Sequence, residues 1–274
     1  MLLRERSMRR KPAVAGQFYQ ETPAKLSHQV RQYVTDTLPR ENALGILSPH
    51  AGLIYSGPVA GAVYSRITLP ETFLLIGPNH TGLGERLSLM AKGEWEIPTA
   101  ILAIDERLSR RLVANVPGIS SDTQAHLFEH SLEMQLPFIA YFSKDSKIVP
   151  LTIMSATLDE CKEVGEGIAK SIREVPYPVV IVASSDMSHY VSDDTARKKD
   201  NMAIDRILSL DPDGLYKTIQ KEQISMCGYL PTAIMLYAAK YLGAREAKII
   251  KYTTSAEISG DYDYVVGYAG VIIV

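Results

Sequence analysis

Short runs of branched apolar residues alternate with amphipathic stretches along the whole chain. This alternation predicts an α/β layered fold. Strands are expected at Ala43–Leu47, Thr72–Ile76, Arg86–Ala91, Lys147–Ile153, Val179–Ala183, Lys248–Thr253 and Tyr264–Val274. The runs that are apolar almost throughout suit central strands buried on both faces. Pro150 marks Lys147–Ile153 as the least regular strand or an edge strand, because proline cannot donate to a ladder. Helical spacing appears at Pro23–Leu38, Pro58–Arg66, Glu106–Ala114, Glu129–Phe142, Leu158–Val175, Asp194–Ser209, Asp213–Lys221 and Tyr229–Leu242. Thr22 and Pro23 form a start signal for the first helix. Pro137 is expected to kink or break the fourth. No linker, charge run, low-complexity tract or repeat interrupts the pattern. Residues 1–274 are therefore expected to form a single domain, with a central mixed, largely parallel β-sheet flanked by helices.

The composition narrows the function. The formal net charge is −2, so no basic excess is available for a nucleic-acid partner. With 46% hydrophobic residues, the chain has too much apolar material for disorder. Its two cysteines can build neither a disulfide framework nor a four-cysteine zinc site. The basic stretch Met1–Arg10 is not followed by an apolar core, and no apolar run reaches the roughly 18 residues of a membrane span. A cytoplasmic protein with no membrane partner is expected. Tyrosine outnumbers phenylalanine by 15 to 5, which suits a surface or cleft where rings also need a hydrogen bond.

Three of the six histidines fall just past the end of an expected strand. They are His50 in Ser48–Gly52, His80 in Gly77–Gly82 and His189 in Ser184–His189. If the strands are parallel neighbours, their carboxyl ends share one edge of the sheet, where ligands of open α/β sheets bind. Each alone can be a satisfied loop histidine. Three in one context point to metal binding or acid–base work. Asp186 stands three residues before His189 and can fix its tautomer or cap the following turn. Cys161 lies on a helical core stripe and reads as a small hydrophobe. Cys227 precedes a helix, where amide donors and the helix dipole favour a thiolate. His126-Leu-Phe-Glu129-His130 matches the H-x-x-E-H pattern of zinc peptidases, and it can equally be the opening of an apolar helix.

Several longer segments are more specific together than any of these residues alone. They are Arg10–Tyr19, Ser48–Gly57, Gly77–Gly82, Glu129–Phe138, Ser184–His189, Cys227 with Gly228, and Gly267–Gly270. On these segments the chain resembles the Memo family, whose prokaryotic members are also called AmmeMemoRadiSam system protein B. The resemblance implies a fold like that of the class III extradiol dioxygenases, non-haem iron enzymes that open catechol rings. It implies a metal site made by His50, His80 and Cys227. It puts Asp186 and His189 in the same cleft as the catalytic pair, with His189 as the acid/base. It adds Glu129, His130, Asn79 and Tyr55 as cleft residues. Iron(II) or copper is the implied metal, and zinc also fits the ligand types. A small molecule or peptide is the implied cleft ligand, with a functional link to other AmmeMemoRadiSam proteins. The dioxygenases use two histidines and a carboxylate. A thiolate in that place is softer and itself oxidisable, which moves the expectation from ring cleavage to a metal-dependent redox enzyme of dioxygenase or oxidase type. A non-catalytic binding protein using the same cleft is the alternative from another class.

Overall fold

A computed structural model of the chain describes residues 8–35, 37 and 39–274. In chain order its strands are β1 (Arg9–Arg10), β2 (Gly45–Ser48), β3 (Thr72–Pro78), β4 (Leu87–Leu89), β5 (Glu94–Ile97) and β6 (Ala100–Ala103). They continue with β7 (Ser120–Ser121), β8 (Lys147–Ile153), β9 (Val179–Ser184), β10 (His189–Val191), β11 (Ala247–Thr254) and β12 (Val265–Ile273). Strands β1, β5 and β6 make a small sheet. The main sheet has the order β10-β12-β2-β9-β3-β8-β4-β7, with β11 paired along β12. Its centre, β2, β9, β3 and β8, is parallel, and β12 and β4 flank it antiparallel. This is the mixed, helix-flanked α/β arrangement that pattern and resemblance both imply.

Strands β2, β3 and β9 are buried along their whole length. Successive side chains feed opposite faces. Leu74, Ile76, Ile181 and Ala183 pack under helices that include Leu158–Arg173 and Tyr229–Leu242. Phe73, Leu75, Val180 and Val182 pack under Pro23–Arg31, Leu53–Tyr64 and Leu136–Phe142. Each fully buried Leu, Ile, Val or Phe here contributes roughly 1.5–3 kcal/mol. Cys161 belongs to the first of these cores, and burial pushes its thiol up to about 12, so it is the inert hydrophobe expected. No helix among the described residues is long and apolar enough to cross a membrane.

Several boundaries differ from expectation, each for a physical reason. The first helix stops at Arg31, and Tyr33 then lies against the helix Leu53–Tyr64. A Cβ at Gly57 would come within 2.4 Å of the Tyr33 ring, so glycine there is what admits the aromatic. Asp36 and Leu38, near the expected end of that helix, lie outside the described residues, as do Met1–Ser7. The helix expected from Pro58 begins at Leu53. Pro58 removes the helical donor to the Ile54 carbonyl, and Ile54 lies on the exposed side of the helix. Strand β8 lies inside the sheet, between β3 and β4. Pro150 is tolerated because β4 pairs only with Leu151–Ile153.

Candidate metal centre

The parallel strands β2, β3 and β9 do end on one edge of the sheet, with Ser48 opposite Ser184 and Ile76 opposite Ala183. The loops leaving this edge carry His50, His80 and Asp186. A fourth segment, residues 129–135, crosses the edge close to β3. A Cβ at Gly77 would meet Ser131 Oγ at 2.8 Å, and Ser131 Oγ donates to the Pro78 carbonyl at 2.9 Å. The expected helix Glu129–Phe142 shrinks to Leu136–Phe142, preceded by a 3₁₀ turn at Glu133–Gln135. The Glu129 carboxylate takes the backbone N–H groups of His80, His130 and Ser131, at 2.5, 2.9 and 2.8 Å, in place of a helical ladder. Cys227 arrives from the opposite side. Its neighbour Gly228 has room for no side chain, since a Cβ there would lie 2.3 Å from the Ser184 carbonyl oxygen.

Three imidazoles meet at this edge. The ligand atoms of His50, His80 and His130 lie within 4.8 Å of one another, the one such group among the described residues. The His80 and His130 rings stack at 4.7 Å and 20°, and His50 meets both edge-on. His130, expected only as a cleft residue, is thus an equal member of the cluster. Cys227 Sγ lies 3.3 Å from His50 Nε2. The surrounding cleft has a volume of about 510 Å³ and is also lined by Phe18, Asp186, His189, Tyr190 and Ser225.

The hydrogen bonds fix three ring tautomers. His80 Nδ1 lies 2.9 Å from the Glu129 carboxylate, which can only accept, so Nδ1 carries the proton and Nε2 a lone pair. Ser184 Oγ gives its single hydrogen to the Ser131 carbonyl at 2.6 Å and receives Gln135 Nε2 at 2.9 Å. It must therefore accept from His50 Nδ1 at 2.9 Å, which leaves the His50 Nε2 lone pair facing Cys227. His189 Nδ1 donates to the Ser225 carbonyl at 2.9 Å, so its Nε2 is free as well. Ordered partners on the far nitrogen are the usual way in which proteins set a metal-ligating imidazole.

Burial disfavours charge on His50, His130 and Cys227. Burial, reinforced by His130 and His80, pushes His50 well below the ordinary histidine value, and burial lowers His130 as well. Burial drives the Cys227 thiol upward, and the nearby Asp186 adds to it. These effects outweigh the helix-terminus lowering expected for Cys227. Burial would also raise Glu129, but the His80 ring and backbone donors hold it down at about 2, so it is the fixed anion behind the rings. Asp186 does not orient His189 as expected. Its Oδ1 accepts the backbone N–H groups of His50 and Ala51 at 2.8 and 3.3 Å, while the Ser225 carbonyl orients His189. Asp186 therefore shapes the His50 loop.

Two residues assigned to the cleft lie beside it. Asn79 binds its own loop, accepting from Thr81 and Gly82 and donating to the Leu83 carbonyl at 2.7 Å. Tyr55 lines an adjoining groove of about 1090 Å³ that shares Phe18 and Gly52 with the cleft. The peptidase pattern is not realised. His126 sits in a 3₁₀ turn, buried against Trp95, and its Nε2 donates to the Ser88 carbonyl at 3.1 Å, away from the cluster. Sequence reading missed Arg10 and Glu133 as functional supports. Arg10 pairs with Glu133 and holds the carbonyls of His126 and Glu129 at 2.9 and 2.6 Å. Their signal was a charged residue in each of two matching segments, Arg10–Tyr19 and Glu129–Phe138.

Burial pushes His126 down to about 4. A histidine whose folded value lies below its unfolded value near 6.5 stabilises the fold fully above pH 6.5. That stability, on the order of 3 kcal/mol, is lost as pH falls toward the folded value. Thermal melts are expected to drop between pH 6.5 and 4.5, and to drop less in His126→Gln. An equal slope in both proteins would remove His126 from this account.

The fold and the cleft define an α/β protein with a histidine cluster at the carboxyl ends of its parallel strands, able to hold a metal ion. The chain belongs to the Memo family: the model of the Memo-like protein family matches residues 10–272. A MEMO1 family protein of Methanothermobacter thermautotrophicus is 39% identical, covering 96% of this chain and 99% of that relative. One of Saccharolobus solfataricus is 41% identical, covering 95% and 98%. Among solved structures, protein JW3007 of Escherichia coli K12 shares the fold, with a TM-score of 0.60 at 15% identity over 83% of this chain and 98% of that one.

Proposed function

We propose that this Memo-family protein is a metal-dependent redox enzyme of the cytoplasm, acting on a small molecule or peptide alongside other AmmeMemoRadiSam proteins. His50 and His80 are the first two ligands in this reading. Cys227 and His130 flank them and complete the donor set. The observation that carries the reading is the pair of lone pairs on His50 Nε2 and His80 Nε2, fixed by Ser184 and Glu129, with a thiol and a third imidazole within reach. Imidazole and thiolate together suit iron(II), copper or zinc, and iron or copper adds electron transfer and Lewis acidity when bound. The Cys227 thiol must lose its proton to ligate, so loading through it releases a proton. His189, with Nε2 free and Nδ1 anchored on Ser225, moves protons at the cleft wall. Glu129 holds the His80 ring and Asp186 holds the His50 loop.

The test is an anomalous diffraction scan of crystals grown from protein purified without a metal-affinity tag. Iron or copper is expected in contact with the ligating atoms of His50 and His80. Zinc at that place would remove the redox part of the proposal. Failure to bind any of these metals at micromolar concentration would leave the cleft as a binding site without metal chemistry.

A further inference from the structure

The rim of the cleft has a feature that metal binding does not use. Strands β10 and β12 pair through a bulge: His189 faces Val266, Val191 faces Val265, and Tyr190 is the extra residue. Tyr190 adopts a φ of 59°. The other described non-glycine residues with positive φ, Leu210 and Gln223, terminate helices, where that conformation is ordinary. In a bulge the left-handed position normally goes to glycine, and a bulky side chain there is strained.

The bulge changes what reaches the cleft. Successive strand residues point to opposite faces. Here the consecutive residues His189 and Tyr190 both line the cleft. The Tyr190 ring meets His189 edge-on at 5.7 Å and stacks on Tyr264 at 5.4 Å and 24°. Tyr190 is 62% exposed and Tyr264 64%, so this stacked pair serves no core. Among the described residues no lysine or arginine lines the cleft, and Asp186 does, so no fixed cationic side chain is there to receive an anionic group.

We propose that Tyr190, backed by Tyr264, is the specificity-determining residue of the cleft, a stacking face that selects an uncharged planar aromatic ring and turns its edge toward the imidazoles. The proposal deepens the functional reading above by naming the ligand class of the same cleft, and it rests on that cleft being the working site.

Benzamide and cyclohexanecarboxamide test it, because they carry the same neutral amide and differ in aromaticity. Both are titrated by saturation-transfer NMR and calorimetry into the protein as isolated, with metal content measured on the same samples. Benzamide is expected to bind about five- to tenfold more tightly than its saturated analogue. Tyr190→Phe should keep that preference. Tyr190→Asn, which tolerates the left-handed backbone, should lose it while metal content stays at the wild-type level. Equal binding of the two amides, or an unchanged preference in Tyr190→Asn, overturns the proposal. Phenyl phosphate binding more tightly than benzamide overturns its uncharged part. Protein that takes up no metal at micromolar concentration yet prefers benzamide refutes the metal reading and supports this one. Protein that binds metal without the preference does the reverse.

Discussion

Glu133→Ala is expected to lower the melting temperature by roughly 10 °C, one of the two largest effects foreseen for this chain. Glu133 is fully buried, and it accepts from Arg10, from the backbone of Ala13 and Val14 at 2.8 and 3.2 Å, and from the Tyr19 hydroxyl at 2.6 Å. Removing it strands a buried guanidinium and three further donors. Breaking a buried pair from one side costs about 3–5 kcal/mol, because the remaining charge has no compensation. Arg10 also lies over the Trp95 ring at 4.3 Å and holds the Glu129 carbonyl, so the damage reaches the histidine cluster. Removing both charges, in Arg10→Met with Glu133→Met, should destabilise less than the two single changes added together. Urea and thermal melts of wild type, Glu133→Ala, the two single methionine variants and their double variant measure this. A Glu133→Ala melt within about 1 °C of wild type would show that the pair does not anchor the amino-terminal segment.

The strand-end histidines were legible because two separate signals coincide there. An apolar run gives the strand, and the Gly and Pro residues around His50 and His80 end it, so the imidazole lands at the sheet edge. His130 was harder to place. Leu132, Leu136 and Ile139 keep helical spacing, and what interrupts the helix is a set of bonds to residues remote in sequence. Glu129 serves the His80 backbone 49 positions away, and Glu133 serves Arg10 123 positions away. Periodicity registers which face is apolar, not which carboxylate has captured a distant amide. The meeting of Cys227 with His50 spans 177 positions and came from the family resemblance rather than from spacing. The role of Asp186 was misread for a related reason: its spacing to His189 suggests a pair, while the loop geometry turns its carboxylate toward the His50 backbone. Tyr190 left no sequence signal, because the left-handed bulge position is one that sequence rules assign to glycine.

His80→Ala is expected to abolish stoichiometric metal binding, and Glu129→Gln to weaken it by about 10–100-fold. The two changes separate ligand from support. His80 contributes the lone pair itself. Glu129 contributes the negative charge that fixes the Nδ1 proton and anchors the His80 backbone. Glutamine keeps the size and one acceptor but removes the charge, so affinity should fall while the fold survives. Because Glu129 is held at about 2, it stays ionised at every pH at which the rings can ligate. Loss of affinity on acidification therefore belongs to the ligands, not to Glu129. The flanking donors divide by the same experiment. Cys227→Ser should cost the site its softest ligand and lower affinity for copper more than for iron. His130→Ala should weaken all metals alike if this ring completes the set. Calorimetric titration of metal-stripped protein, with element analysis of each variant, reads all four. Wild-type affinity in His80→Ala would end the case for a metal at this edge of the sheet. Wild-type affinity in Glu129→Gln would mean that the carboxylate holds the backbone of the His80 loop and leaves the ring to itself.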